Sequence, residues 1–452
     1  MRWLAGLFLA GEVLAGSGEL LKAVDQDGVE VVQELIAAGA EVNERSEYGV
    51  TPLGLACEKG RPGVVKVLLE AGAKFDWSAG DPVLLAAARG GFEETVGILL
   101  DAGAPVDQAS GGQTALMWAA AGGYEDVVEL LLTGGAEVER VAGESGLDAL
   151  CFAVRAGRTG VVEQLVAAGA DPCAPRTPKK VTAKAMRAGM APLLLAIENG
   201  HFELAMRLVE MGADVNDLRS GFGPLHVLTW VRKPERGDGA NGIAPPRIAG
   251  EMGSLDLVKA LVARGAEVDL RLEKGEHKAG QVNPKGATDF LLGAKTCDLD
   301  YMKLLVELGA DVTIPNGEGT SALLAAAGLG VSAPGEEAAR EGEVIPVVKY
   351  LLEMGLAIDA VNDFGESVMH AAAYKGDPDL VFLLDERGAD PEVWNRKNAN
   401  GRTPLVIAHG DRPIGYRPYQ YMIDAFGKVM RKHGLEVPKR PMGPKTPKKK
   451  GY

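Results

Sequence analysis

The residues of this 452-residue chain best suited to chemistry are its six histidines and four cysteines. Imidazole and thiolate groups act as general bases, nucleophiles and metal ligands when several of them are held close together. The cysteines stand at Cys57, Cys151, Cys173 and Cys297 and form neither a CxxC nor a CxxCH motif. No two histidines have the spacing of metal ligands. We therefore expect no metal, no attached haem and no disulfide framework.

Two short segments have part of the spacing of a ligand-binding loop. Residues 293–296 (Gly-Ala-Lys-Thr) match the end of a phosphate-binding loop, but Thr288 stands where that loop requires glycine. Asp25 and Glu34 match two positions of a calcium loop, whose first ligand would be Ala23. Because neither segment carries a complete set of ligands, we predict no cofactor and no enzymatic activity.

A recurring Gly-Ala dipeptide marks the elements that must position any functional residue. The chain holds 60 glycines, and those of the dipeptide recur every 31–34 residues, or every 43–53 residues where an insertion intervenes. A period of this length indicates a repeat protein. The recurring glycines are Gly39, Gly72, Gly103, Gly135, Gly169, Gly212, Gly265, Gly309, Gly355 and Gly388, of which Gly355 precedes leucine instead of alanine.

One period has the pattern of two short helices, most clearly in residues 51–73. Thr51 can cap the first helix with its hydroxyl, and Pro52 suits the first helical position. Gly60 ends that helix, and Gly72 ends the second in the left-handed conformation that glycine adopts without penalty. Helices this short are unstable alone in water, so each must bury its apolar face against the next repeat. The sequence thus predicts an all-α solenoid.

This pattern resembles the ankyrin repeat family, whose repeats contain T-P-L-H-x-A-A followed by V-V-x-L-L-x-x-G-A-D-V-N. The match extends over about residues 18–435. It implies paired short helices with β-hairpin-like finger loops, in about ten repeats and an incomplete C-terminal one. Runs around Trp118, Trp230 and Trp394 further resemble bacterial ankyrin repeat proteins. The clearest copies of the signature are Thr51-Pro52-Leu53, Gly223-Pro224-Leu225-His226 and Thr403-Pro404-Leu405.

The predicted organisation is one repeat domain over residues 16–436 with a segment at each end. Residues 1–15 have the pattern of an export signal, which would make the protein periplasmic or secreted; alternatively they cap the stack of a cytoplasmic protein. Residues 437–452 form a basic tail rich in proline and lysine, which we expect to be disordered. Four insertions with the composition of surface loops occur at 172–189, 231–253, 270–285 and 329–344.

The formal net charge of −14 divides unevenly along the chain. The tail carries +6 and the remainder carries −20. An acidic body of this kind should repel nucleic acid and anionic membranes. No apolar run approaches 18 residues, so we expect no membrane-spanning helix. The partners we expect are proteins, and the chain itself is expected to be a monomer.

The resemblance also implies where a partner binds. In ankyrin folds the last two residues of each first helix line the concave face, together with the finger tips. At the matching positions five residues are basic and three acidic, in contrast to the acidic body, and aromatic residues there would serve as anchors. The alternative is that these are ordinary solvated helix ends, with the tryptophan covered by the 231–253 insertion. The predicted binding residues are Lys59, Arg89, Arg155, Glu198, Asn199, Trp230, Lys295, Tyr374 and Lys375.

A second candidate surface lies between the last repeats. Trp394, Arg396 and Lys397 stand in a predicted finger and combine an aromatic ring with two positive charges. The alternative is that the tryptophan closes the end of the stack, because terminal repeats need modified surfaces.

The predicted function is therefore non-enzymatic protein recognition by a repeat scaffold, through the concave face and the finger loops. Three alternatives remain open, the third of which is an effector delivered into another cell. The first is a regulatory or inhibitory subunit that acts through an insertion such as 231–253. The second is an enzyme whose site is assembled from the insertions, which the sequence does not identify.

Overall fold

The computed structural model of the chain describes residues 18–75, 82–179, 188–234, 246–275, 282–331, 339–340, 342–411 and 418–438. The predicted export signal and nearly all of the basic tail lie outside these residues, as do the central parts of the four insertions. Within them the regular secondary structure is helical. The β-pairings of the described chain are isolated bridges between Ser110 and Gln113 and between Arg176 and Met190.

Helices follow one another in pairs along the described chain. The helices α1 to α20 form ten successive pairs, and α21 to α23 follow, which is consistent with the predicted number of repeats. Their bounds are α1 Glu19–Asp25, α2 Val29–Ala37, α3 Pro52–Lys59, α4 Pro62–Glu70, α5 Val83–Gly90, α6 Glu93–Asp101, α7 Ala115–Gly122, α8 Glu125–Thr133, α9 Ala149–Arg155, α10 Thr159–Ala167, α11 Pro192–Glu198, α12 Phe202–Glu210, α13 Pro224–Arg232, α14 Ser254–Ala263, α15 Asp289–Lys295, α16 Leu299–Glu307, α17 Ala322–Ala326, α18 Val344–Glu353, α19 Val368–Lys375, α20 Pro378–Glu386, α21 Pro391–Trp394, α22 Pro404–Ala408 and α23 Gln420–Lys432.

The predicted caps and stops of the helices are confirmed. The Thr51 hydroxyl accepts the Gly54 N–H at 3.1 Å, and the buried Asp148 carboxylate accepts the Cys151 N–H at 2.8 Å. Gly60 and Gly72 end α3 and α4 with φ of 62° and 88°, a conformation that other residues adopt only with strain. These starts and stops are therefore set locally by the residues beside them.

Two compact units divide between Ala196 and Ile197, within α11. In the first unit the first helices of successive pairs, α3, α5, α7 and α9, pack on one another, and so do the second helices, α4, α6, α8 and α10. In the second unit α13, α15, α17, α19 and α22 pack in the same sequential way. The layers between first helices are thin, since residues 83–88 of α5 are all buried and four of the six are valine or alanine. Small side chains of this kind allow the short helices to approach closely.

Asparagine and aspartate side chains connect neighbouring finger loops within each unit. Asn216 donates its amide to the Gly265 carbonyl at 2.9 Å and accepts the Glu267 N–H at 2.8 Å. Asp107, Asp269 and Asp359 occupy the same position of their repeats and accept one backbone N–H of the next finger. Like Asn216, Asn43 both donates to and accepts from the backbone of the next finger, through the Gly72 carbonyl and the Lys74 N–H. These bonds hold successive repeats in register by satisfying backbone groups that no strand pairing satisfies.

We expect Asn216→Ala to lower the free energy of unfolding of the second unit by about 1–2 kcal/mol, because two inter-repeat hydrogen bonds are lost. Asn216→Asp should lose less, since the carboxylate still accepts the Glu267 N–H. Urea denaturation followed by circular dichroism measures both changes.

Thr313 supplies the matched control for this prediction. It stands at the equivalent position, but its hydroxyl bonds to Asp311 within its own finger, at 2.6 Å. An equal loss of stability in Thr313→Ala and Asn216→Ala would show that the inter-repeat bonds contribute nothing measurable.

Candidate functional site

The described first-helix ends of the first unit carry two arginines, each over an aromatic ring. The Arg89 guanidinium, in the last turn of α5, lies 5.6 Å from the centre of the Trp118 ring on α7. The Arg155 guanidinium, at the end of α9, lies 5.1 Å from the centre of the Phe152 ring. Because α5, α7 and α9 are successive neighbours, these four residues form one row, which we call the arginine–aromatic row.

The helix in the middle of the row, α7, ends in residues with small side chains. Ala121 and Gly122 end α7, between the two arginines, and both are half-buried. The exposed Arg158 reaches across to donate its Nε–H to the Ala121 carbonyl at 3.3 Å. This part of the first unit therefore presents three guanidinium groups around two small residues.

The second helices of the same unit carry the opposite charge. Their exposed residues include Glu93 and Glu94 on α6, Glu125 and Glu129 on α8, and Glu163 on α10. The exposed glutamates of these second helices thus differ in sign from Arg89 and Arg155 at the first-helix ends. The positive charge of Lys59, on α3, is partly offset by Asp25, whose carboxylate lies 3.4 Å from the Lys59 ammonium.

In the second unit the predicted binding residues occupy the expected helix ends. Glu198 ends α11 and Asn199 follows it, Lys295 ends α15 and Lys375 ends α19. All four side chains are half-buried, and each takes part in interactions within the protein. Their placement agrees with the motif.

Trp230 is half-buried on α13 and packs edge-on against Phe222, with ring centroids 5.2 Å apart. Beside it the first residues of the 231–253 insertion are tied to neighbouring elements. Arg232 binds Asp298 at 2.7 Å, and the Lys233 ammonium lies 2.8 Å from Glu343. These ion pairs fasten the start of the insertion to the fold.

Two of the predicted aromatic anchors are buried. Tyr374 is only 6% exposed, and its hydroxyl donates to Glu366 at 3.2 Å. Trp394 is 1% exposed; its indole N–H donates to the Ala389 carbonyl at 3.2 Å, and its ring lies 6.4 Å from that of Phe426 on α23. Neither ring presents a face to a partner, and the interpretation of Trp394 as the closure of the stack fits its surroundings. Arg396 and Lys397 are exposed beside it.

Sequence reasoning missed two members of the row, Trp118 and Phe152. Phe152 precedes Arg155 by three residues in one helix, a spacing at which side chains meet, so the sequence alone could have predicted this pair. Trp118 and Arg89 belong to different repeats. Only the packing of α5 on α7 brings them together.

Two of the described thiols are buried in the packed layers of first helices. Burial raises the pKa of the Cys57 thiol, and burial together with Asp148 raises the pKa of the Cys151 thiol, so both remain protonated and unreactive. Over the described ranges no three histidine, cysteine, aspartate or glutamate side chains are grouped to hold a metal ion. Nor does any helix of this part of the chain have the length and apolar character needed to cross a membrane.

Comparison with known proteins places the repeats in a family. Models of ankyrin repeats match residues 20–76 and 83–176 as three-copy arrays, residues 188–219 as a single repeat and residues 337–384 as a many-copy array. The chain belongs to the ankyrin repeat family, and its fold is the all-α ankyrin solenoid. Ankyrin repeats are in general a scaffold for protein–protein interaction.

Individual relatives share the repeats but are much longer proteins. The ankyrin repeat and KH domain-containing protein mask-1 of Caenorhabditis elegans is 31% identical over 305 residues, which are 66% of this chain and 10% of mask-1. The phosphocholine transferase AnkX of Legionella pneumophila is 23% identical over 295 residues, 57% of this chain and 29% of AnkX. Among solved structures, the human ASB11 ankyrin repeat domain has 22% identity and a TM-score of 0.43, covering 55% of this chain and 98% of that domain. The chain thus spans a tenth of mask-1 and less than a third of AnkX.

We expect Trp394→Ala to destabilise the second unit by about 3–5 kcal/mol, because it removes a fully buried ring and leaves a cavity against α23. Arg396→Ala and Lys397→Ala should change stability by no more than about 0.5 kcal/mol, as exposed side chains usually do. Urea denaturation of the three variants tests this difference. Equal stability of Trp394→Ala and the unmodified chain would contradict the burial of Trp394 and make it a candidate for partner binding again.

Proposed function

We propose that the protein is a non-enzymatic scaffold whose first unit binds an acidic segment of a partner protein along the arginine–aromatic row. The observation that carries this proposal is the stacking of Arg89 on Trp118 and of Arg155 on Phe152 at successive first-helix ends. Both arginines stand on a unit whose second helices are acidic. The family in general binds proteins. This proposal specifies the face of the first unit that binds and the negative charge of the segment that it binds.

Stacking on a ring suits an arginine for carboxylate recognition. The aromatic face attracts the cation and restricts the motion of the side chain. Two parallel N–H···O bonds to a carboxylate are stronger and more directional than the contact of a lysine ammonium. A ring-supported arginine also loses less conformational entropy on binding.

The repeat spacing supports an extended ligand. Arg89 and Arg155 belong to first helices on either side of α7, and the small residues Ala121 and Gly122 lie between them. A peptide with acidic side chains at intervals can place one carboxylate at each arginine and run past the half-buried face of Trp118. The acidic second helices repel the same peptide, so the charge pattern favours one face.

A fluorescein-labelled decaglutamate peptide tests the charge of the ligand directly. Its fluorescence anisotropy should rise on addition of the full chain at about 0.05 M salt and much less at about 0.3 M salt, since exposed charges are screened. Arg89→Glu combined with Arg155→Glu should weaken binding by about tenfold or more, with unchanged circular dichroism.

Lys66→Glu is the matched control, because Lys66 is exposed on the second helix α4 and the change in net charge equals that of Arg89→Glu alone. It should leave the affinity unchanged. Equal weakening by Lys66→Glu and Arg89→Glu would mean that only net charge matters. Preferential binding of decalysine or of a single-stranded oligothymidylate would overturn the proposal.

A further inference from the structure

The second unit contains a histidine and an aspartate that are fully buried and face each other. His226, in the first turn of α13, and Asp289, the first residue of α15, are both 0% exposed. The His226 Nε2 atom lies 4.0 Å from Asp289 Oδ1. Among the described residues, neither Nε2 nor either carboxyl oxygen makes a hydrogen bond of normal length and angle, although the backbone carbonyls of Leu270 and Ala287 lie near the His226 ring. Buried polar atoms without partners are rare, because each one costs free energy that a hydrogen bond normally offsets.

The tautomer of His226 is set by its other ring nitrogen. Nδ1 accepts the Gly223 N–H at 3.1 Å, so Nδ1 carries no proton. The neutral ring therefore has its proton on Nε2, toward Asp289. A second proton on Nδ1 would oppose the Gly223 N–H, which disfavours the imidazolium form.

An equivalent histidine elsewhere in the unit shows the ordinary arrangement. His370 stands at the same position of α19, where Nδ1 accepts the Ser367 N–H at 3.2 Å and Nε2 lies 3.2 Å from the Arg402 carbonyl. The next first helix there begins with Pro404, at the position that Asp289 takes in α15. We call the contact between successive first helices a joint. The α13–α15 joint thus has a carboxyl group where the α19–α22 joint has a proline ring.

Among the described residues, the groups around Asp289 do not include an available cation. Asp269 adds a negative charge from the neighbouring finger loop, and Tyr301 of α16 donates its hydroxyl to the Leu225 carbonyl at 3.1 Å. The nearby Arg232 guanidinium lies over the Tyr301 ring and binds both oxygens of Asp298, at 2.7 and 2.9 Å. An ionised Asp289 would therefore be a buried charge that the hydrogen bond from its own backbone N–H offsets only in part.

We infer that Asp289 is a neutral carboxylic acid at neutral pH, held against the neutral His226 ring, and that its ionisation in alkali weakens the joint between α13 and α15. The directions in which the pKa values of Asp289 and His226 are shifted agree with this inference. Burial, and secondarily Asp269, raises the pKa of Asp289 well above its usual range, and burial lowers the pKa of His226 to about 4.

The direction of the pH dependence follows from linkage. The raised pKa of Asp289 gives stability that is complete below the pKa of the unfolded carboxyl and is lost as pH rises. The lowered pKa of His226 gives stability that is complete above 6.5 and is lost as pH falls toward about 4. The two effects oppose each other between about 4 and 6.5. Above that range only the Asp289 effect remains, and the folding equilibrium constant of the unit should fall by up to about tenfold per pH unit.

The test compares the full chain with Asp289→Asn, a neutral group of the same shape as the protonated acid. Urea denaturation from mildly acid to alkaline pH should show a steeper alkaline loss of stability in the unmodified chain, by up to about tenfold in equilibrium constant per pH unit. Parallel profiles for the two proteins would overturn the inference.

A spectroscopic measurement on the unmodified chain keeps the inference testable if the variant folds poorly. With ¹³C-labelled aspartate, the carboxyl resonance of Asp289 should hold its protonated position at neutral pH and move only in alkali. Asp148, an equally buried aspartate paired with Arg176, provides the carboxylate reference. Asp289→Pro, which copies the residue at the His370 joint, assigns the signal by its loss. A carboxylate signal for Asp289 at neutral pH would refute the inference.

Discussion

The shortness of the helices is the constraint on which the rest of the structure depends. Most helices from α1 to α20 have seven to ten residues, too few to be stable in water alone. Each pair must therefore cover its apolar faces with the pair before and the pair after it, and in each unit the packing is between successive neighbours. Layers made largely of alanine, valine and leucine allow this close contact, as in α5. Fully buried rings occur within the pairs, as at Tyr301 and Phe290, and beyond the last pair, as at Trp394 and Phe426.

The same constraint explains where the polar groups lie. Short helices have a high proportion of backbone ends, and those ends are buried by the neighbouring repeat, so they need partners within the protein. Threonine, serine and aspartate caps, finger-loop asparagines and the His370 imidazole supply them. Asp289 departs from this rule, since its carboxyl oxygens are buried at a helix start without partners.

Packing between neighbours also decides which residues a partner can reach. The first helices are covered along most of their length, so their last turns are the accessible part of that face. Arg89 and Arg155 lie in those turns, and the aromatic rings beneath them belong to the packed layer. The charge of the second helices, on the outer side of each pair, then differs in sign from that of the row. The proposed binding face lies where the stacking leaves the helix ends exposed.

The amino-acid sequence by itself determined the repeat, the helix pairs, their caps and their glycine stops, as Thr51, Asp148, Gly60 and Gly72 illustrate. These features depend on residues a few positions apart, so their physical causes are local. It also placed the predicted binding residues at the helix ends. Tertiary structure alone decided that Tyr374 and Trp394 are buried, that Trp118 lies under Arg89, and that Asp289 faces His226. Each of these contacts joins residues of different repeats, and its geometry depends on how two helices pack, which residue spacing along the chain does not encode.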